Sequence, residues 1–352
     1  MRRLLCLLLG AALLLGLCGC AREKETAAVT LWYAEDDPLA AGLLRAAEEY
    51  GRTRASDAPG LALRAFEDGE ALQRALNTAR PDLLLCPHTL AFSLAGRGLL
   101  QTLGGLDASY GEALRGRAEC IGSSVFPLGS RVLLLASYDE PPEDFAALCA
   151  RAAAFGAEQG SPYLAVDSFA ELLCRQVLGS GEFHADRARD CFNPAFVGAW
   201  NALAEAAFTG GLYAGELPAV SLLRGGLPAA VVYADALVSG VPEGVTLSTV
   251  PAEGETLLAE LRCLAVTAPE GRPTRGAAAF LRWLTRGDRA AKLALSAGLI
   301  PALPGGEAAD ALSALLLSLA QRPLWLPDGG SDYCRGRAAF EQEARAVLDL
   351  LK

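Results

Sequence analysis

Residues 29–88 repeat one local pattern, a short apolar run closing in a polar turn and leading into helical spacing, and few folds accommodate it. Val29-Thr30-Leu31-Trp32-Tyr33 is β-branched and aromatic and predicts a strand, with Ala34-Glu35-Asp36-Asp37 as the turn after it. Asp37 followed by Pro38 predicts a helix N-cap and first helical residue, and Leu39, Leu43, Ala46 and Tyr50 share one helical face. Leu61 to Phe66 predicts the second strand, Glu67-Asp68-Gly69 its turn, and Leu72, Ala75 and Leu76 the buried face of its helix. Pro81-Asp82 then opens Leu83-Leu84-Leu85-Cys86, an unbroken apolar run suited to a strand covered on both faces, which stops at Pro87-His88. Successive units of this kind build an α/β domain, and ligands of open parallel sheets sit beyond the carboxyl ends of the strands. Here those ends carry Tyr33 to Asp36, Phe66 to Asp68, and His88.

Later segments repeat the class. Phe126 to Arg131 reads as a turn into an apolar strand, Val132 to Ala136, and the composition shift at Asp139-Glu140-Pro141-Pro142 marks the expected crossing between two lobes. Helical spacing at 145–154, a strand at 163–166, a helix capped by Ser168, a helix over 194–208 closed by Gly210-Gly211, and a buried strand at 229–233 predict a second α/β lobe. Strands at 245–250 and 261–266, two amphipathic helices ending at Gly298, and helices over 308–320 and 338–351 complete the chain.

The first twenty residues carry Arg2 and Arg3, an apolar run from Leu4 to Leu17, and Leu17-Cys18-Gly19-Cys20. The run is at the short end for a permanent membrane span and suits an export signal. The last four residues resemble a bacterial lipobox, which makes 1–19 a signal peptide, Cys20 the lipidated residue and 20–27 a polar tether; Cys18 departs from the usual small residue. An uncleaved anchor or an ordinary signal peptide is the plainer alternative. The 333 residues that follow the signal suit two lobes. The formal charge is −10, from 31 basic and 41 acidic residues, and becomes −12 without Arg2 and Arg3, which argues against a nucleic-acid partner. Cys86, Cys149, Cys174 and Cys263 lie in apolar runs and behave as small hydrophobes; no CxxC spacing supports a metal site, and an exported chain admits a Cys174–Cys191 disulfide.

The order of elements resembles the extracellular solute-binding proteins of ABC importers, most closely the family 1 sugar-binding lipoproteins. The most specific stretch is Ala277 to Pro301, AAAFLRWLTRGDRAAKLALSAGLIP. VTLWY at 29–33, PDLLL at 81–85, GLLQTL at 98–103 and Gly225-Gly226-Leu227-Pro228-Ala229-Ala230 support it. The resemblance implies a two-lobed periplasmic-binding-protein-like fold of type II, each lobe a mainly parallel sheet flanked by helices. One lobe would be 28–133 plus 258–302, the other 134–257 plus 303–352. It also implies capture of a small solute by lobe closure, delivery to ABC permease subunits, a monomeric protein without cofactor or metal, and a lipid anchor on the extracytoplasmic face of the cell membrane.

The residues at strand ends facing such a cleft are Tyr33, Glu35, Asp36, Glu67, Asp68, His88, Tyr233 and Asp235, and Trp325 stands near where sugar-binding relatives place a stacking aromatic. Each has a plainer reading beside it. Asp37 and Asp68 serve equally as helix caps, His88 as a satisfied structural histidine, and Arg262 either meets an anion or pairs with an acid. Aromatics make up only 7% of the chain and the candidate loops lean acidic, which leaves a cationic solute such as a polyamine, or a receptor role feeding a sensor, as alternatives to a sugar. An enzyme is disfavoured: the only histidines are His88 and His184, and GxSxG, GxxxxGK[ST] and HExxH are absent.

Overall fold

The computed structural model describes residues 28–56, 58–101, 125–179, 193–267, 275–327 and 332–351. The expected signal, Cys20, the tether and Cys191 lie outside these residues, as do the last two residues of GLLQTL.

Two sheets organise the chain. The first has six strands: β1 (Val29–Ala34), β2 (Leu61–Phe66), β3 (Leu83–Pro87), β4 (Val125–Arg131), β11 (Glu260–Val266) and β12 (Ile300–Pro301), in the order β12-β4-β11-β3-β1-β2. Its first half forms as the periodicity predicts. β1 runs parallel to β2, with Val29 opposite Leu61 and Ala34 opposite Phe66, and parallel to β3. Alternation along the strands supplies two cores. Leu31, Leu83, Leu85, Phe126 and Leu264 face the side covered by α1 (Ala40–Thr53), α8 (Arg275–Thr285) and α9 (Arg289–Ser296). Trp32, Leu84, Cys86, Cys263 and Ala265 face α2 (Gly69–Ala75) and α3 (His88–Gly96).

The second sheet has five strands: β5 (Leu133–Ser137), β6 (Leu164–Val166), β7 (Leu212–Tyr213), β8 (Ala229–Tyr233) and β9 (Thr246–Thr249), in the order β7-β6-β8-β5-β9. One face is covered by α4 (Phe145–Gln159), α5 (Phe169–Gly179) and α6 (Pro194–Phe208), with Leu148, Leu172, Leu203 and Val231 in the core. The other face packs Val132, Leu134 and Val232 against α7 (Ala219–Arg224) and against Leu312, Leu316 and Leu319 of α10 (Ala311–Leu319). The last helix, α11 (Asp332–Leu350), adds Ala344 and Leu348 to the first of these faces.

Both sheets are mixed rather than mainly parallel. β11 is antiparallel to β3 and β4, β12 to β4, and β5 to β8 and β9. The reason is connectivity: β4 and β11 carry the chain out of and back into the first sheet, so they lie side by side in opposite directions.

The crossing itself also differs from the sequence expectation. β4 ends at Arg131 and β5 begins at Leu133, so the chain changes sheets at buried Val132, ahead of the Asp139–Pro142 composition shift. Phe126 to Arg131 is strand, not turn. Its turn-forming residues are absorbed by a β-bulge: Arg262 faces Gly129 and Cys263 faces Pro127, leaving Leu128 as the extra residue. The Leu128 carbonyl accepts instead from Ala302 N–H at 3.1 Å. The return crossing is a two-stranded strip in which β10 (Leu257–Leu258) runs parallel to β13 (Leu324–Trp325).

Gly129 is required by close approach. A Cβ there would stand 2.8 Å from Ala294 Cβ, 2.9 Å from Leu299 Cβ and 3.1 Å from the Ile300 carbonyl oxygen. Gly129→Ala should therefore lower stability by roughly 1–3 kcal/mol, the usual cost of overpacking. Urea denaturation measures it, and an unchanged midpoint would mean that α9 and β12 move aside freely.

Candidate functional site

A cavity of about 770 Å³ opens at the carboxyl ends of β1 and β3. Asp36 and Asp37 follow β1, Asp68, Gly69 and Glu70 open α2, Pro87 ends β3, and Thr89 and Ser93 lie on α3. Glu260 and Arg262 of β11 form the floor towards the crossing, and α11 contributes Cys334 and Arg337. Asp36 and Asp68 thus meet as the strand-end argument expects. Asp68 also caps α2, accepting from Ala71 N–H at 2.7 Å. Glu35 and Glu67 are exposed and are absent from the lining.

Five other expected contacts are placed elsewhere. Tyr33 is only 6% exposed and belongs to the first-lobe core, because it shares a strand face with Leu31. His88 is fully buried: Nε2 lies 2.7 Å from the Pro327 carbonyl oxygen, and Nδ1 accepts from Leu261 N–H at 3.2 Å. One ring nitrogen donating and the other accepting is the bonding of a neutral imidazole. Tyr233 and Asp235, at the end of β8, are engaged by Arg131. The guanidinium lies 3.6 Å from the Tyr233 ring centre, and its Nε donates to Asp235 Oδ1 at 2.9 Å. Trp325 packs with Leu258 and Cys174 in a small cluster beside the two-stranded strip.

The start assigned to α1 also shifts. The helix begins at Ala40 with Leu39 at its cap, so Asp37 and Pro38 lie in the turn ahead of it rather than at the N-cap and first helical position, and Asp37 accepts from Leu39 N–H at 2.9 Å. Its other oxygen turns inward. Asp37 Oδ2 lies 3.1 Å from Arg262 Nη1, Arg262 Nη2 lies 2.6 Å from Glu260 Oε1, Glu260 Oε2 lies 3.3 Å from Arg337 Nη1, and that nitrogen lies 2.8 Å from Glu171 Oε1. Sequence reasoning marked Arg262 as a charge on an apolar strand. Glu171 and Arg337 carried no local signal, since their partners are remote in sequence, and Glu260, although two residues from Arg262 on the same strand, was not marked.

Burial and pairing divide these acids. Burial pushes Asp37 above the ordinary carboxylate range despite Arg262 beside it, and does the same to Glu171 against Arg337. For Glu260 burial acts in the same direction, but Arg262, Arg337 and Arg131 together outweigh it and hold the carboxyl below its usual range. Four members of this chain, Asp37, Glu260, Arg262 and Arg337, line the cavity. Among the described residues five carboxylates and two guanidiniums face it, and none of these lining residues is aromatic.

Burial depresses the His88 pKa from the ordinary 6.5. The unfolded chain therefore takes up a proton as pH falls below 6.5 while the folded ring resists it, so this group's contribution is complete above 6.5 and declines as pH falls towards the folded value. His88→Gln should cost about 1–3 kcal/mol at pH 7.5, because a buried partner group is left unmatched. The difference from wild type should shrink at pH 5.5 in urea titrations. A constant difference would mean that His88 titrates alike in both states.

No protein-family model matches the chain, and no curated protein matches it. Solved structures do. The cyclic α-maltosyl-1,6-maltose binding protein of Arthrobacter globiformis aligns at 16% identity over 92% of this chain and 99% of its own, with a TM-score of 0.67. An ABC substrate-binding protein of Listeria monocytogenes in complex with cycloalternan aligns at 12% identity over 93% and 95%, with a TM-score of 0.71. A maltose-bound protein of T. maritima gives the same identity, coverage and score. At these identities the likeness is one of fold: the chain has the two-lobed α/β architecture of these sugar-binding proteins, with sheets flanked by helices.

Proposed function

We propose that this protein is an extracytoplasmic solute-binding protein that captures a small solute, a sugar or oligosaccharide, between its lobes and hands it to an ABC permease. The observation that carries the reading is the cavity of about 770 Å³ at the carboxyl ends of β1 and β3, beside the crossing between the sheets. Its chemistry is reversible binding: solute touching both lobes favours the closed arrangement over the open one, and no bond is made or broken. Asp36, Asp68, Thr89 and Ser93 are the groups offered to solute hydroxyls, with Glu35 and Glu67 at the rim; Tyr233, Asp235 and Trp325 belong to the surroundings of the crossing. The anchor is Cys20, acylated after removal of 1–19, and it holds the protein at the outer face of the cell membrane. Among the described residues no helix is long and apolar enough to cross a membrane.

The lining favours a second reading of the cargo. Asp36, Asp68 and Glu70 join Asp37 and Glu260 around the cavity, and its two guanidiniums are already engaged by Asp37, Glu171 and Glu260. Glu70 is paired with Arg74, but Asp36 and Asp68 have no guanidinium beside them among the described residues, so a solute bearing ammonium groups, such as a polyamine, finds carboxylates there, whereas a pyranose finds no ring to stack on among the described lining residues.

A thermal-shift screen of the protein beginning at Ala21, against neutral sugars, polyamines, amino acids and oligopeptides, tests both. Solute at 100 times its dissociation constant should add about 2.7 kcal/mol to folded-state stability. Stabilisation by sugars supports the first reading, and stabilisation by polyamines that Asp36→Asn weakens supports the second. No shift with any class would overturn solute capture. Separately, Cys20→Ser should move the full-length protein from the membrane fraction to the soluble one; retention on the membrane would refute the lipid anchor.

A further inference from the structure

The C-terminal helix α11 belongs to the second lobe by its packing and occupies that lobe's side of the cleft. Arg345 donates to the carbonyls of Val166 and Asp167 at the end of β6, at 3.2 and 2.6 Å, and to that of Gly215 at 3.0 Å. Glu341 accepts from Ser168 Oγ at 3.1 Å and from Ala170 N–H at 2.8 Å at the first turn of α5. The end of β6 and the start of α5 are the second sheet's counterpart of the β1 and β3 ends. α11 covers them, so the surface this lobe turns towards the cavity is the first part of α11 itself, carrying Cys334 and Arg337. The other lining residues all come from the first sheet or its helices.

Arg337 joins the two sides. Its Nη1 lies between Glu171 of α5, in the second lobe, and Glu260 of β11, in the first, at 2.8 and 3.3 Å. The Glu171 side chain is 9% exposed and that of Glu260 16%, so water cannot readily replace the guanidinium at either. Glu260 is tied in turn through Arg262 to Asp37 at the end of β1. Moving α11 away from the first lobe would break the Arg337–Glu260 contact at a site poorly able to rehydrate.

We propose that α11 is the second-lobe jaw of the cleft and that Arg337 is a positioning residue holding that jaw against the first lobe through Glu260, so that the link sets the open–closed balance and through it solute affinity. Only the affinity part rests on the solute-binding reading. Apparent affinity scales with the fraction of protein already in the binding-competent arrangement, so weakening the link lowers affinity through that fraction; because Arg337 also lines the cavity, the change in the unliganded radius of gyration is what separates this effect from a lost contact.

The test uses the full-length protein in detergent, with small-angle scattering of the unliganded state and isothermal titration with whichever screened solute stabilises the wild type. Arg337→Ala should increase the radius of gyration and weaken binding about fivefold or more, the lower range of couplings between sites. Arg337→Lys, which keeps a charge that can reach a carboxylate, should restore most of both. If Arg337→Ala does not fold, Arg337→Gln serves, being uncharged but still able to hydrogen-bond. An unchanged radius of gyration in a folded, uncharged variant overturns the proposal, as does a drop in melting temperature with neither radius nor affinity altered. If no solute binds the wild type, the solute-binding reading fails, and the scattering comparison still decides whether Arg337 couples the lobes.

Discussion

Charge removed from water has to be paired, and at the junction of the two sheets that requirement ties together segments from across the chain. β4 leaves the first sheet at Arg131 and β11 enters it at Glu260, and these two residues face one another in the ladder. Each side chain finds its main partner elsewhere: Arg131 on Asp235 of the second lobe, and Glu260 on Arg262 and Arg337. Desolvating such ions costs several kcal/mol apiece, recovered only where geometry supplies an opposite charge at contact distance. The alternating series Asp37, Arg262, Glu260, Arg337, Glu171 meets that condition from the end of β1 to α5. Its contribution is to specify one arrangement of strands, loop and helix around the cavity more than to add stability.

His88 works in the same place by neutral bonding. Its ring joins the start of α3 to the first residues of β11 and to the segment after β13, through Leu261 N–H and the Pro327 carbonyl. A charged imidazole would present two donors, one of them to another N–H, so burial and hydrogen bonding select the same protonation state. The junction is therefore held by paired charges on one flank and by a neutral ring on the other.

Much of the fold was legible in the sequence because its signals are local. The unbroken run Leu83 to Cys86 announced a strand covered on both faces, and Asp68 announced a helix start that it does cap. Phe126 to Arg131 misled because Pro127 and Gly129 are turn formers in isolation. Only the pairing with β11, which lets the ladder skip at Leu128, and the close packing of Ala294 and Leu299 on Gly129 make them strand residues. The site was legible only in part. Asp36 and Asp68 were placed correctly at strand ends, whereas Tyr33 was counted one residue too far out on a strand whose faces are both covered. The pairing of Glu260 with Arg262 has the two-residue spacing of one strand face and was there to be read, whereas the partners of Arg337 were beyond reach, since no periodicity connects positions on different elements.

The same contrast bears on what the cleft can hold. Architecture follows from apolar pattern and connectivity, which this chain shares with sugar-binding proteins at 12–16% identity. Solute preference follows from the few side chains that line the cavity, and those can change while every buried strand stays in place. Three aromatics near the strand ends and crossing are committed to structure: Tyr33 to the first core, Tyr233 beneath Arg131, and Trp325 against Leu258. Among the described residues, what faces the cavity is carboxylates, hydroxyls, an amide, short apolar side chains and the two engaged guanidiniums. These described residues offer a neutral sugar hydrogen bonds, each in competition with water, while a cation would gain from every carboxylate left without a guanidinium. On the proposed solute-binding reading, the electrostatics of the lining bears on the choice of solute more directly than the likeness of the backbone does.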